Sequence, residues 1–253
     1  MTGEVMDTGE TTEDTLLDGR VRFRQPRSGY RAAIDTVLLA AAVPARAGER
    51  VADLGAGAGG ASLALLARLS GVHVTGLEAD AGMAALYDAN GALNGFGDAM
   101  AAVIGNIAAP PAAIADGAFD HVMMNPPYQD KASGNVSPNA AKRRANAETD
   151  AGLDAWVGGA QRALKAKGYL TLVHRADRLD DIIAALAPGF GGITVFPLWP
   201  AEGVPAKRVI VRARKGVRTP AALLAGLVLH EGDGGYTPAA DAVLRGRAAL
   251  SLD

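Results

Sequence analysis

Short apolar runs alternate with longer stretches of helical apolar spacing along most of this chain. The short runs predict strands at Val51–Gly55, Val72–Glu78, Ala102–Gly105, Phe119–Met124, Tyr169–His174, Ile193–Leu198 and Arg208–Arg214. The longer ones predict helices at Ala61–Leu69, Ala81–Leu93, Leu153–Leu164 and Leu179–Leu186, where apolar residues recur at intervals of three and four. A last short helix is expected at Pro238–Arg247, with Pro238 in its first turn. Strands that alternate with helices predict an α/β fold: a Rossmann-like, seven-stranded, mostly parallel sheet with helices on both faces. Residues 1–18 have no apolar period and read as a disordered acidic arm, leaving residues 19–253 as a single domain. Gly, Pro and Asn punctuate residues 129–141, which read as a mobile loop.

Composition adds limits. At 253 residues and 49% hydrophobic, the chain fits one α/β domain with a sizeable core, and with only 5% aromatics that core must be mostly aliphatic. There is no cysteine, which excludes disulfides, thiolate nucleophiles and cysteine zinc sites. His73, His121, His174 and His230 are too scattered for a metal cluster, so no metal is expected. The amino terminus is acidic, the reverse of a secretory signal, and the longest apolar stretch, Thr36 to Val43, is too short to cross a bilayer. The protein reads as soluble and cytoplasmic.

The net charge of −2 hides a segregation. Residues 1–19 carry six acids and no base. Arg20, Arg22, Arg24, Arg27 and Arg31 follow with no acid, and Lys207, Arg208, Arg212, Arg214, Lys215 and Arg218 repeat the pattern. Gathered on one face, with Lys142, Arg143 and Arg144, they would attract a polyanion; spread out, they are ordinary solvated surface.

The first chemical signal is Asp53-Leu54-Gly55-Ala56-Gly57-Ala58-Gly59-Gly60, between a predicted strand and a predicted helix. Glycines permit positive φ and close approach of a ligand to the backbone, and the helix start offers free amides. Gly55, Gly57 and Gly60 satisfy G-x-G-x-x-G, so a nicotinamide dinucleotide is a rival ligand, and a plain strand–helix turn with no ligand is the bland alternative. Glu78, ending the next strand, suits either cofactor because its carboxylate can accept both ribose hydroxyls. Asp53 tilts the choice between them. A carboxylate before the glycines repels pyrophosphate but suits a cofactor with an ammonium end and no phosphate, and S-adenosylmethionine is such a cofactor.

The second signal is Asn125-Pro126-Pro127-Tyr128, at the end of the fourth predicted strand. Prolines have no amide hydrogen and hold the preceding residues extended, so the Asn125 and Pro126 carbonyls sit in a stiff bend. The Asn125 side chain adds an acceptor, and Tyr128 adds a face on which a flat base can stack. This set suits a planar –NH2 group. An ordinary Pro-Pro turn is the alternative, and the glycine loop and Glu78 upstream weigh against it.

With these motifs the chain resembles class I methyltransferases that carry N-P-P-Y and act on amino nitrogens. Within them it is most similar to the bacterial family that methylates adenine N6 next to the anticodon of a valine tRNA. Arg20 to Ala40, with Gln25, Tyr30, Arg31 and Asp35, resembles that family's lead into the glycine loop, and Leu229 to Gly246, with Tyr236-Thr237, its carboxyl-terminal segment. The resemblance implies that Asp53, Gly55, Ala56, Gly57 and Gly59 line the methionine part of S-adenosylmethionine, with Tyr30 and Asp35 helping to close the pocket. It implies that Glu78 holds the ribose, Asn106 stands by the cofactor adenine, and Asn125, Pro126, Pro127 and Tyr128 hold the target amine. The implied partner is RNA, a tRNA above all. Asn106 departs from the usual Asp, and the acidic arm has no counterpart in the family.

Other readings are a methyltransferase for ribosomal RNA, for DNA or for a protein glutamine amide. The glutamine enzymes usually carry a helical domain ahead of the sheet, and the roughly 30 residues from Arg20 to the glycine-loop strand are too few for one. A nicotinamide-dependent oxidoreductase and a nucleic-acid-binding protein with a vestigial loop are readings from other classes.

Overall fold

The computed structural model describes residues 11–27, 34–127 and 152–252. The first elements form an antiparallel hairpin of β1 (Thr11–Leu16) and β2 (Val21–Pro26). This corrects the expected disordered arm over residues 11–18; residues 1–10 lie outside the described residues. β2 alternates in the manner of a half-buried strand, with Val21, Phe23 and Gln25 inward and Arg22 and Arg24 outward. β1 has few apolar residues of its own and is held by cross-strand charge: Glu13 accepts from Arg22 at 2.8 Å and from Arg24 at 3.0 Å.

Helix α1 (Ile34–Ala42) follows and is almost entirely buried, which explains the apolar stretch that the sequence left without an element. Then come β3 (Arg50–Leu54), α2 (Gly60–Leu66), β4 (His73–Glu78), α3 (Ala81–Leu93), β5 (Met100–Ile104), α4 (Ala112–Ala115) and β6 (Phe119–Met124). After the stretch 128–151, outside the described residues, run α5 (Leu153–Ala163), β7 (Leu164–Arg175), a 3-10 turn (Ala176–Arg178), α6 (Leu179–Leu186), β8 (Phe190–Trp199) and β9 (Arg208–Lys215). The two-residue strands β10 (Ala222–Leu223) and β11 (Leu227–Val228) and helix α7 (Pro238–Leu244) finish the described chain. The loop expected at 129–141 falls in the undescribed stretch.

The seven long strands from β3 to β9 are the seven expected. They lie in the order β5-β4-β3-β6-β7-β9-β8, with β10 and β11 added beside β8. β9 alone runs antiparallel to its neighbours among these seven. The α/β, Rossmann-like fold therefore holds. The chain builds outward from β3 through β4 to β5, then returns to lay β6 on the other side of β3. That reversal opens a crevice at the carboxyl ends of β3 and β6, where open α/β sheets bind ligands.

Alternation along the buried strands feeds two cores. Val51 and Met123 pack with Leu38, Leu63 and Tyr87 on the face that carries α1, α2 and α3. Leu54, Val122 and Met124 pack with Trp156, Ile114 and Ile182 on the face that carries α4, α5 and α6. Two helix starts are capped as their sequences suggest. Asp80 accepts from the Met83 amide at 2.8 Å, and Thr237 accepts from the Ala240 amide with Pro238 in the first turn. Among the described residues no helix is long and apolar enough to cross a membrane.

Candidate active site

Strand register brings the two sequence motifs together. Leu54 pairs with Leu77 on one side and with Met124 on the other. Gly55, Glu78 and Asn125, each the next residue along, therefore stand in one row at the carboxyl edge of the sheet. Asn106 follows β5 at the same edge, because Glu78 pairs with Ile104. It is exposed; its side-chain oxygen accepts from the Ala108 amide at 2.8 Å, and its carbonyl accepts from the Ala109 amide at 3.1 Å.

The glycines divide the work. The amides of Gly55 and Ala56 both donate to the Leu77 carbonyl, at 2.8 and 3.0 Å, which ties the loop to β4. Gly55, Gly57 and Gly59 all have positive φ, at 71°, 54° and 90°. At Gly59 a Cβ would fall 2.4 Å from the Met100 methyl and 2.9 Å from the Tyr87 ring, so packing excludes a side chain there. At Gly57 the nearest atom would be 3.7 Å away, so that glycine keeps an open face for a ligand. Glu78 clasps the loop from the side, accepting from the Gly57 amide at 2.8 Å and from the Asp80 amide at 3.0 Å. Each carboxylate oxygen retains acceptor capacity for a ribose hydroxyl.

Asp53 lies deeper than its expected partnership with an ammonium group suggests. It is 3% exposed and accepts from Ser62 Oγ at 2.7 Å, while Tyr87 donates to Ser62 Oγ at 2.9 Å. Burial raises its pKa to about 7, with the nearby Glu78 charge adding to the rise and the Ser62 hydrogen bonds opposing it. Because the folded value exceeds the ordinary 3.8, the native state favours the neutral acid. The stabilisation is complete below about pH 4 and is lost as pH rises through about 7. Thermal melts of cofactor-free protein between pH 5 and 8 should therefore show a decline that Asp53→Asn flattens. An equal slope in the two proteins would mean that Asp53 does not titrate in this range.

Beyond the motifs, the chemistry end is a cleft of about 340 Å³ whose lining includes Pro126, Pro127, Trp156, His174, Arg178 and Asp181. Asn125 is half-buried, Pro126 buried and Pro127 exposed at the rim. His174, near the end of β7, is pushed down to about 4 by burial and by the field of Arg178, Arg175 and Arg208, so it is neutral at physiological pH. Asp35 reaches the same end of the sheet and accepts from Arg208 at 3.0 Å. Tyr30 and Tyr128 lie outside the described residues, as do Arg31, Lys142, Arg143 and Arg144.

Among the described residues the basic clusters do not gather at this mouth. Arg208 stands there, but β9 runs away from it. Arg212 is buried and donates to the Leu252 carbonyl, Arg214 lies over the Tyr169 ring, and Lys215 donates to the Leu164 carbonyl. Arg20 is engaged far from the mouth by the carbonyls of Ala67 and Gly246. Arg178 does line the cleft, and no charge run marks it in the sequence. Its only signal is its place just after a strand end. Trp156 was equally unmarked, being one apolar residue on an amphipathic helix.

A glycine loop tied to β4 by an acid, facing an Asn-Pro-Pro bend across a switch point, defines a class I methyltransferase. A family model described as methyltransferase small domain matches residues 29–195, and the chain belongs to that family. S-adenosylmethionine is its cofactor, and the open face at Gly57 and the acceptors of Glu78 fit it.

Among solved structures, a protein of Agrobacterium tumefaciens described as a predicted O-methyltransferase is 32% identical. That match has a TM-score of 0.72 and covers 85% of this chain and 98% of the other. An S-adenosylmethionine-dependent O-methyltransferase of Thermotoga maritima shares the fold at 18% identity and a TM-score of 0.53, covering 76% of this chain and 68% of its own. TrmN of Thermus thermophilus does so at 19% identity and 0.51, covering 72% of this chain and 48% of its own. No curated protein sequence matches the chain.

Proposed function

We propose that the protein methylates an exocyclic amino nitrogen, adenine N6 in the anticodon loop of a tRNA. The observation that carries this reading is the strand register that sets Asn125-Pro126-Pro127 beside the glycine loop. In this reading Asp53, Gly55, Ala56, Gly57 and Gly59 line the methionine part of the cofactor, and Tyr30 and Asp35 help close the pocket. Glu78 holds the ribose and Asn106 stands by the adenine. The bound cofactor supplies an electrophilic methyl on a sulfonium, whose thioether leaves readily.

Asn125 Oδ1 and the Pro126 carbonyl each accept one amine hydrogen, which draws the nitrogen lone pair out of conjugation and fixes its direction. Tyr128 stacks on the base. No strong base is needed, because the nitrogen becomes acidic once alkylated and its proton leaves afterwards. The acceleration comes from positioning and preorganised dipoles. A loop base is already unpaired, so extruding it costs less than opening a duplex.

Transfer to a hydroxyl is the second reading, favoured by the 32% identical neighbour described as a predicted O-methyltransferase. Such transfer needs a base for the hydroxyl proton, and His174, with its pKa near 4, is a weak one. Mass spectrometry of nucleosides from tRNA incubated with protein and S-adenosylmethionine separates the readings. N6-methyladenosine is expected. Methyl on a ribose oxygen would establish the second reading, and methyl only on cytosine, guanine, ribosomal RNA, DNA or a protein glutamine would overturn the substrate while leaving the amine chemistry.

A further inference from the structure

The carboxyl rim of the sheet continues past the cleft. Leu172 of β7 pairs with Met124, and Arg175 lies three residues further on, the same step that separates Pro127 from Met124. From Arg175 one row crosses the sheet through Arg208 of β9 and Leu198 of β8 to Leu227 of β11. Just beyond that row the chain leaves β11 and forms a turn over residues 230–236. It is seated on the end of β8, where the Leu229 and His230 amides donate to the carbonyls of Trp199 and Pro200 at 2.8 and 3.1 Å.

This turn displays an aromatic pair. His230 and Tyr236 stack with ring centroids 4.8 Å apart and planes 24° from parallel. At 42% exposure, Tyr236 is the one exposed phenylalanine, tyrosine or tryptophan among the described residues. A single exposed apolar side chain is ordinary surface. This one is held in place. His230 and Tyr236 form an antiparallel bridge, the Glu231 amide donates to the Gly235 carbonyl at 2.8 Å, and His230 Nδ1 donates to the Gly234 carbonyl at 3.2 Å. Thr237, the next residue, fastens the turn to β11 by donating from its amide to Leu229 at 2.9 Å and from Oγ1 to Val228 at 2.7 Å. A ring so fixed loses little freedom when a flat partner stacks on it.

Charge separates what the turn can hold from what lies beside it. Glu231 and Asp233 are exposed in the same turn, so a phosphate is repelled there and a neutral base is not. Between the turn and the cleft stand Arg208, Arg175 and Arg178, the three arginines whose field reaches His174 in the cleft wall. Asp35, Asp177 and Asp181 orient them in that order. Cations along a path with a flat ring at its end are the combination that holds single-stranded nucleic acid.

On the RNA reading above, we propose that Tyr236, backed by His230, stacks a second base of the RNA, one that flanks the methylated nucleotide and stays outside the cleft. Four strand spacings of about 4.8 Å separate β6 from β11, which puts the platform on the order of 20 Å from the Asn-Pro-Pro bend. At a stacked rise of about 3.4 Å per nucleotide, a dinucleotide is too short to occupy both places. The platform therefore favours an intact loop over a short fragment that carries the same amine.

Fluorescence anisotropy with an anticodon stem-loop and S-adenosylhomocysteine compares wild type, Tyr236→Phe and Tyr236→Ala. Tyr236→Ala should weaken binding about 10-fold, and Tyr236→Phe less than about two-fold. The dependence of log Kd on log salt should keep its slope in Tyr236→Ala, because stacking releases no counterions. Equal affinity of wild type and Tyr236→Ala, an equal loss in both variants, or a shallower slope would overturn the stacking role.

Stem-loops with 5-iodouridine at single positions flanking the target then locate the base. Ultraviolet light should join one of these positions to the tryptic peptide 219–245, and the adduct should vanish in Tyr236→Ala. An adduct that persists in that variant, or none on this peptide from any position, refutes the platform. A wild type that neither binds nor methylates the stem-loop marks failure of the RNA reading and removes the platform with it. A wild type that methylates it while Tyr236→Ala binds as well marks failure of the platform alone.

Discussion

Replacing Asn125 with alanine should lower single-turnover methylation by roughly a hundred-fold or more, while S-adenosylmethionine affinity should stay within about two-fold of wild type. Asn125 stands one residue beyond Met124, which pairs with Leu54 at the foot of the glycine loop. Its amide oxygen is assigned to the amine and to nothing on the cofactor, so its loss falls on the transition state. Removing one preorganised polar group from such a site raises the barrier by about 3 kcal/mol. Rapid-quench single-turnover assays alongside calorimetry check both halves of the expectation. Near-normal turnover would place amine activation elsewhere, whereas a parallel loss of cofactor affinity would mean that Asn125 shapes the cofactor pocket.

Gly55→Ala should lower the melting temperature by roughly 4–20 °C and weaken cofactor binding. Two costs combine. With φ at 71°, Gly55 occupies the left-handed region, where an L side chain costs about 1–2 kcal/mol. The new methyl would also lie 2.5 Å from Trp156, and overpacking of this kind costs about 1–3 kcal/mol. Gly57→Ala separates the two, because its methyl meets nothing closer than 3.7 Å and pays the backbone cost alone. If both variants melt together, the indole yields freely and the contact at Gly55 is not rigid.

Much of this was legible in the sequence, for physical reasons. The bounds of α3 and α6 could be read directly, because Asp80 caps one and apolar spacing frames both. The glycine loop and the Asn-Pro-Pro bend are local chemistry, and their meeting follows from the strand order of the fold. What stayed hidden depends on contacts distant in sequence. β1 was illegible because Glu13 is a strand residue only when Arg22 and Arg24 lie opposite it. Arg212 read as a surface cation, for a polyanion or for solvent, because its acceptor, the Leu252 carbonyl, is 40 residues away. Arg178 joined the site because β7 ends beside β6, which no count of charge could reveal.

Asn90 links two parts of the molecule that the sequence treats as unrelated. Fully buried on α3, it accepts from the Arg24 amide at 2.9 Å and donates to the carbonyls of Arg24 at 2.7 Å and Ala58 at 2.9 Å. One side chain thus fastens the amino-terminal hairpin to the backbone of the glycine loop. Local opening of either part strands buried polar groups of the other, which makes the two a single cooperative unit. A ligand that quiets the loop should therefore also slow amide exchange in β2, so the hairpin would report on occupancy of the loop.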